Sequence, residues 1–219
     1  MSKFFSKLFL LCLLVAASSI TIAQPFIDDI RAFKKEDSIH FPAKQSILFV
    51  GSSSFTKWKD VADYFPGYTI INRGFGGSAL VDVIRYADDV IFPYHAKQIV
   101  IYCGENDLAS SDTVTAQMVF TRFKKLYGMI RAKMPNVPVD FISLKPSPSR
   151  AKLRPKMEAA NSMIKKYIAK QKNISFIDVF HPMLNEDGKP KPEIYIEDSL
   201  HMNAKGYAIW QKVIQPYLK

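Results

Sequence analysis

Cysteine is close to absent from this chain of 219 residues, which has only Cys12 and Cys103. Cys12 lies in an N-terminal stretch with the layout of an export signal. Its removal leaves one thiol and no intrachain disulfide, so stability has to come from an apolar core. Histidine is also scarce, with four residues, and neither histidine nor cysteine recurs at the spacing of a zinc site. No G-x-x-x-x-G-K-S/T loop is present to cradle a nucleotide phosphate, and the glycine-rich GFGGS lacks the rest of a dinucleotide fingerprint. The expectation is therefore no metal and no cofactor. Long apolar runs are missing too. The stretch from Leu8 to Ala16 is too short, and too soon followed by Ser18 and Ser19, to cross a membrane.

The N-terminal segment MSKFFSKLFLLCLLVAASSITIAQ places Lys3 and Lys7 before that apolar run and small residues after it, ending at Ala23. This is the pattern of a secretory signal over residues 1–23, cleaved near Ala23, with an exported single domain over 24–219. Cys12 has no small residue before it, which argues against a lipid anchor there. The formal charge of +10 falls to +8 without the segment, and the remaining basic residues are scattered rather than gathered into a block. No nucleic-acid partner is expected.

After an amphipathic helix closed by Pro42, apolar β-branched runs alternate with helical patterns. The runs are SILFV (46–50), YTIIN (68–72), QIVIYC (98–103), VPVDFISL (137–144) and ISFIDV (174–179). Five strands alternating with helices predict an α/β domain, a parallel sheet covered on both faces. Asp112 or Thr113 is the expected cap of the long helix that follows the third strand, and Asn203 of the last helix. In such sheets ligands bind beyond the carboxyl ends of the strands. Polar, chemically able residues cluster there: Gly51-Ser52-Ser53-Ser54, then Asn72 to Ser78, then Gly104-Glu105-Asn106-Asp107, and finally Asp198-Ser199-Leu200-His201.

A serine hydroxyl is a weak nucleophile unless a histidine takes its proton and a carboxylate steadies that histidine. Asp198 and His201, three apart, can pair locally. His40 lies in the entry loop, His95 in a connection and His181 beside Pro182, and each is read as lacking an acid so placed. GSSSF lacks the second glycine of a G-x-S-x-G elbow, which speaks against an α/β-hydrolase.

Taken in order, the four blocks resemble those of the SGNH hydrolases, also called the GDSL esterase/lipase superfamily. The resemblance spans residues 51 to 201 and implies a three-layer α/β/α sandwich of the flavodoxin-like kind. It implies Ser53, two after Gly51, as nucleophile, with Asp198 and His201 completing a triad, and it assigns the oxyanion donors to Ser53, Gly77 and Asn106. Where the family's first block carries aspartate, this chain has Ser52. Ser52 and Ser54 are expected to bond the turn's backbone, and Asp107 to act as a structural partner. Arg150 or Lys145 is the candidate contact for a polar or anionic substrate, and Phe55, Trp58, Phe75 and Tyr195 are candidate walls of the pocket. The function so implied is an exported esterase for short, acetyl-like esters, on carbohydrates first. Lysophospholipids, platelet-activating-factor-like lipids and thioesters are the other substrates, and a catalytically silent glycan-binding protein is the other class.

Overall fold

The computed structural model describes residues 25–219; the secretory signal expected over 1–23 lies outside the described residues. Five strands, β1 (Ile47–Gly51), β2 (Ile70–Gly74), β3 (Gln98–Tyr102), β4 (Val139–Ile142) and β5 (Ile174–Ile177), form one sheet in the order β2-β1-β3-β4-β5. Every pairing is parallel. The expected strand count and direction are both found, with strand ends shifted by at most two residues.

Alternation of side chains divides the strands between two cores. Leu48, Val50, Ile99, Ile101, Val139 and Phe141 face one side. Against it pack α1 (Ile27–Ile39), α4 (Leu80–Arg85), α5 (Ala87–Val90), α7 (Ala116–Lys133) and α8 (Arg154–Ile168). Ile47, Phe49, Val100, Tyr102, Ile142 and Ile177 face the other, covered by α2 (Ser53–Thr56), α3 (Val61–Tyr64) and α9 (Ala204–Ile214). The result is the three-layer α/β/α sandwich. Each fully buried aliphatic or phenyl side chain contributes about 1.5–3 kcal/mol, so two continuous cores suffice without disulfides. Cys103 is indeed a free, buried thiol.

Local signals misplace some helix boundaries. The segment TKWKDVADYF does not form one helix: α2 ends at its first residue, Thr56, and α3 takes up only Val61–Tyr64, while ALVDVIRYADDVI breaks at Tyr86 into α4 and α5. Tyr86 leaves helical geometry to donate its hydroxyl to Pro25 O at 2.8 Å, a contact far off in sequence. The cap of α7 is Thr115, whose Oγ1 accepts from Met118 N, rather than Asp112 or Thr113. Asn203 does cap α9, accepting from Lys205 N and Gly206 N.

Asp140 of β4 is buried away from the site. Gln98 of β3 donates to its carboxylate and to Tyr217 O, and accepts from Lys219 N, so the C-terminus is tied to the sheet. Burial pushes the Asp140 carboxyl up to about 6, against the downward pull of its bonds to Gln98 and Ser175 and the Lys219 charge. A raised carboxyl keeps its proton longer in the folded chain. The folded state therefore loses relative stability as pH rises from the unfolded value near 4 through about 6. Asp140→Asn removes this ionisation. Its stability relative to wild type should rise by roughly 2–3 kcal/mol between pH 4 and pH 7, which denaturant titrations at the two pH values will measure. A difference independent of pH would show that Asp140 does not ionise in this range.

Candidate active site

The chain order reverses around β1, so the crevice of the sheet lies beyond the carboxyl ends of β1 and β3. Register brings three loops to that point, because Gly51 stands beside Gly74 on one edge and Tyr102 on the other. A side chain on Gly51 would meet Tyr102 O at 1.9 Å, and its φ is +149°. Only glycine lets the chain turn there. Ser52 N then donates to Tyr102 O, and Ser53 opens α2 at the mouth of the crevice.

Ser53 Oγ lies 2.8 Å from His201 Nε2, and His201 Nδ1 lies 2.6 Å from Asp198 Oδ2. The other Asp198 oxygen accepts from the amides of Leu200 and His201 at 2.9 and 2.8 Å. This tight loop needs left-handed backbone at Ser199, with φ 54°. It is held to the domain by Ile196 N to His201 O and by Ser149 N to Ser199 O. Burial nudges the Asp198 carboxyl upward, but the His201 ring and the two amides outweigh it and hold the group down to about 2. It stays ionised at any ordinary pH. A carboxylate on Nδ1 keeps a proton there and leaves Nε2 to accept from the serine.

Three N–H groups, on the segments that follow β1, β2 and β3, have donor capacity to spare. The amides of Ser53 and Gly77 meet no acceptor among the described residues. Gly77 has φ +84°, a conformation that turns its amide at the exposed tip of GFGGS without side-chain strain. Asn106 donates one amide hydrogen to Ser78 O at 3.0 Å and keeps the other. Such a trio can receive a carbonyl oxygen as it gains charge. Asp107 is buried and accepts from Leu80 N at 2.8 Å and Arg122 Nη1 at 2.7 Å, tying the start of α4 to α7. Its role is structural, as expected.

The expected pocket walls are different. Phe75 is fully buried, with its ring 5.4 Å from that of Phe26 and 6.2 Å from that of Tyr86, and belongs to the core. Phe55 and Trp58 pack with Trp210 beneath α9, and Tyr195 is buried with its hydroxyl donated to Pro146 O. Lys145 is buried against Glu105, and the guanidinium of Arg150 bonds Glu105 and Asn106. These side chains come after strands, as substrate contacts would, but the aromatics are taken up by the cores and the two cations by Glu105. Ser52 and Ser54 are buried too, and it is the main chain that closes the turn, with Phe55 N and Thr56 N donating to Ser52 O.

His181 also has an acid three residues before it, against expectation: its Nδ1 is 2.7 Å from Asp178 Oδ2. Spacing alone cannot rank the two pairs. The His181 side chain is 76% exposed and meets no serine among the described residues, whereas His201 is 14% exposed and meets Ser53. Sequence reasoning placed Glu105 in the cluster after the third strand but gave it no role. An acid directly after a strand was the available signal, but its partners Lys145 and Arg150 lie 40 and 45 residues on.

A hydroxyl, an imidazole and a carboxylate linked in that order above a parallel sheet make a hydrolase-type site. The chain belongs to the GDSL-like lipase/acylhydrolase family, whose model matches residues 42–209. Among solved structures, the fold is similar to that of a GDSL-like lipase from Bacteroides thetaiotaomicron, with TM-score 0.72 and 22% identity over 86% of this chain and 96% of that one. A Streptococcus pneumonia protein whose name refers to platelet activating factor has TM-score 0.76 at 19% identity, over 88% and 92% of the two chains. An acetyl-xylooligosaccharide esterase from Geobacillus has TM-score 0.62 at 14% identity, over 80% and 94%. No curated protein sequence matches significantly.

With three adjacent serines, the geometry singles out one. A fluorophosphonate should label wild-type protein and lose that label in Ser53→Ala, while Ser52→Ala and Ser54→Ala keep it; a label that moves to Ser52 or Ser54 on peptide mapping would contradict the assignment.

Proposed function

We propose that this chain is an exported serine esterase that removes short acyl groups, acetyl first, from carbohydrate alcohols through an acyl-enzyme on Ser53. The observation that carries the proposal is the 2.8 Å approach of Ser53 Oγ to His201 Nε2, with Asp198 on the far side of the ring. In the first half-reaction Ser53 Oγ bonds to the ester carbonyl carbon and its proton passes to Nε2. The carbonyl oxygen, now negative, is met by the free N–H groups of Ser53, Gly77 and Asn106. The bond to the alcohol breaks, and the leaving oxygen takes the proton from Nε2. Water then repeats the sequence, giving its proton to Nε2, displacing Ser53 and releasing the acid.

The shape of the site supports a small acyl group and a large polar alcohol. Two well-formed cavities, of about 330 and 440 Å³, have walls that include neither Ser53 nor His201. The rim itself is open, with Gly76 and Gly77 exposed and Asp198 43% exposed. A long acyl chain would gain little burial there. A sugar chain can lie across an open rim with its hydroxyls in water. The Geobacillus esterase of similar fold acts on acetylated xylooligosaccharides by its name, and the signal-like segment agrees with a substrate outside the cell. The bonds that link Ser53, His201 and Asp198 favour the esterase over the silent glycan-binding alternative.

A chromogenic acetyl-ester assay on the purified protein tests the reaction, and acyl length tests the site. Acetyl and butyryl esters should show higher kcat/KM than esters of twelve carbons or more; a steady rise with length would instead indicate a lipid pocket. The two relay partners should differ in weight. His201→Ala should lower kcat by about 10⁴-fold or more, as loss of the serine would. Asp198→Asn should keep at least tenfold more activity than His201→Ala, and the acid limb of its kcat/KM profile should move to lower pH because a charge that favours imidazolium has gone. Equal losses, or an unmoved limb, would remove Asp198 from the relay.

A further inference from the structure

Asn106 can offer an N–H to an oxyanion only if its amide is held the right way round. The two ends of an amide are nearly the same shape, and a half-turn exchanges donor for acceptor. Here Nδ2 donates to Ser78 O at 3.0 Å and Oδ1 accepts from Arg150 Nη2 at 2.6 Å. A guanidinium only donates. The flipped amide would set donor against donor at Arg150 and acceptor against acceptor at Ser78, so the two neighbours allow one orientation. The bond from Arg150 is also charge-assisted. Drawing electron density toward Oδ1 makes the opposite N–H a stronger donor.

Arg150 is in turn held by a buried ion cluster. Its Nη1 is 3.3 Å from Glu105 Oε2, and Glu105 also takes Lys145 Nζ at 3.0 Å, the Lys145 amide at 3.0 Å and the Tyr102 hydroxyl. The Lys145 side chain is 1% exposed, Glu105 5% and Arg150 16%. A simple buried ion pair needs one cation, and a second costs further desolvation. Two cations therefore share the one carboxylate, which leaves the Arg150 guanidinium free to spend its second nitrogen on Asn106.

We propose that Arg150 is a positioning residue for ester hydrolysis. Anchored by the Glu105–Lys145 pair, it fixes and polarises the Asn106 amide toward the oxyanion and does not contact the substrate. This inference rests on the esterase reading and adds to it a role that the four motif blocks do not contain.

A double-mutant cycle on an uncharged acetyl ester tests it. Arg150→Ala should lower kcat by about 10- to 100-fold, below the 10²–10³ typical of losing a whole oxyanion donor, with KM changed less than about twofold. In an Asn106→Ala background the same substitution should cost less than about threefold, because nothing is left to position. Arg150→Lys, which keeps one charged donor, should recover part of kcat, and it completes the cycle if Arg150→Ala does not fold. Equal losses in both backgrounds would mean general structural damage and would overturn the proposal. A change confined to KM for anionic esters would make Arg150 a substrate contact and overturn it as well. Failure of the underlying reading looks different: Ser53→Ala would still hydrolyse the ester.

Discussion

β1 is bonded along both edges and packed on both faces, and its register decides where everything else at the site falls. Its edges pair with β2 and β3, and its side chains alternate between two cores, Leu48 and Val50 on one side and Ile47 and Phe49 on the other. A slip of one residue would exchange the two faces and strand every one of those side chains. The same register puts Gly51 so near Tyr102 O that no side chain is tolerated. The turn that aims Ser53 is thus a consequence of sheet pairing. The loop carrying Gly77 and the helix carrying Asn106 follow the two strands that flank it.

Charge is handled in two ways around this point. Asp198 is left partly in water and spends its charge on one imidazole and two amides, which together outweigh its desolvation and keep it ionised. Asp107 and Glu105 are taken out of water and are each matched by cations, Arg122 for the first and Lys145 with Arg150 for the second. These buried groups brace α6 (Glu105–Ala109), the short helix whose second residue is Asn106. Rigid support matters here because an oxyanion donor acts only if it needs no reorganisation when charge appears.

The two Asp-x-x-His turns show how far local sequence reaches. Both Asp178–His181 and Asp198–His201 close the same ring-to-carboxylate bond, at 2.7 and 2.6 Å. Local chemistry makes each pair; only tertiary position gives one of them a serine. His201 reaches Ser53 across 148 residues of chain, and the loop between β5 and α9 is held in place by Asn203, which bonds Glu193 O and Tyr195 O while capping α9.

What the sequence determined by itself was whatever depends on near neighbours: five apolar runs and their strands, the alternation that demands a parallel sheet covered on both faces, the Asn203 cap, and the Asp198–His201 spacing. The order of the four motif blocks also pointed to Ser53 among three serines, the one that meets His201. What only the tertiary structure decided was burial and partnership. Phe75, Trp58 and Tyr195 follow strands just as substrate contacts would, yet the packing of α9 and the GFGGS turn puts them in the core. Glu105, Lys145 and Arg150 are ordinary charged residues until β3 and β4 pair in parallel and carry the loops after them to one place. Spacing along a chain is a local quantity; whether a side chain meets water, a substrate or a buried counter-charge depends on elements that the fold brings together from far apart.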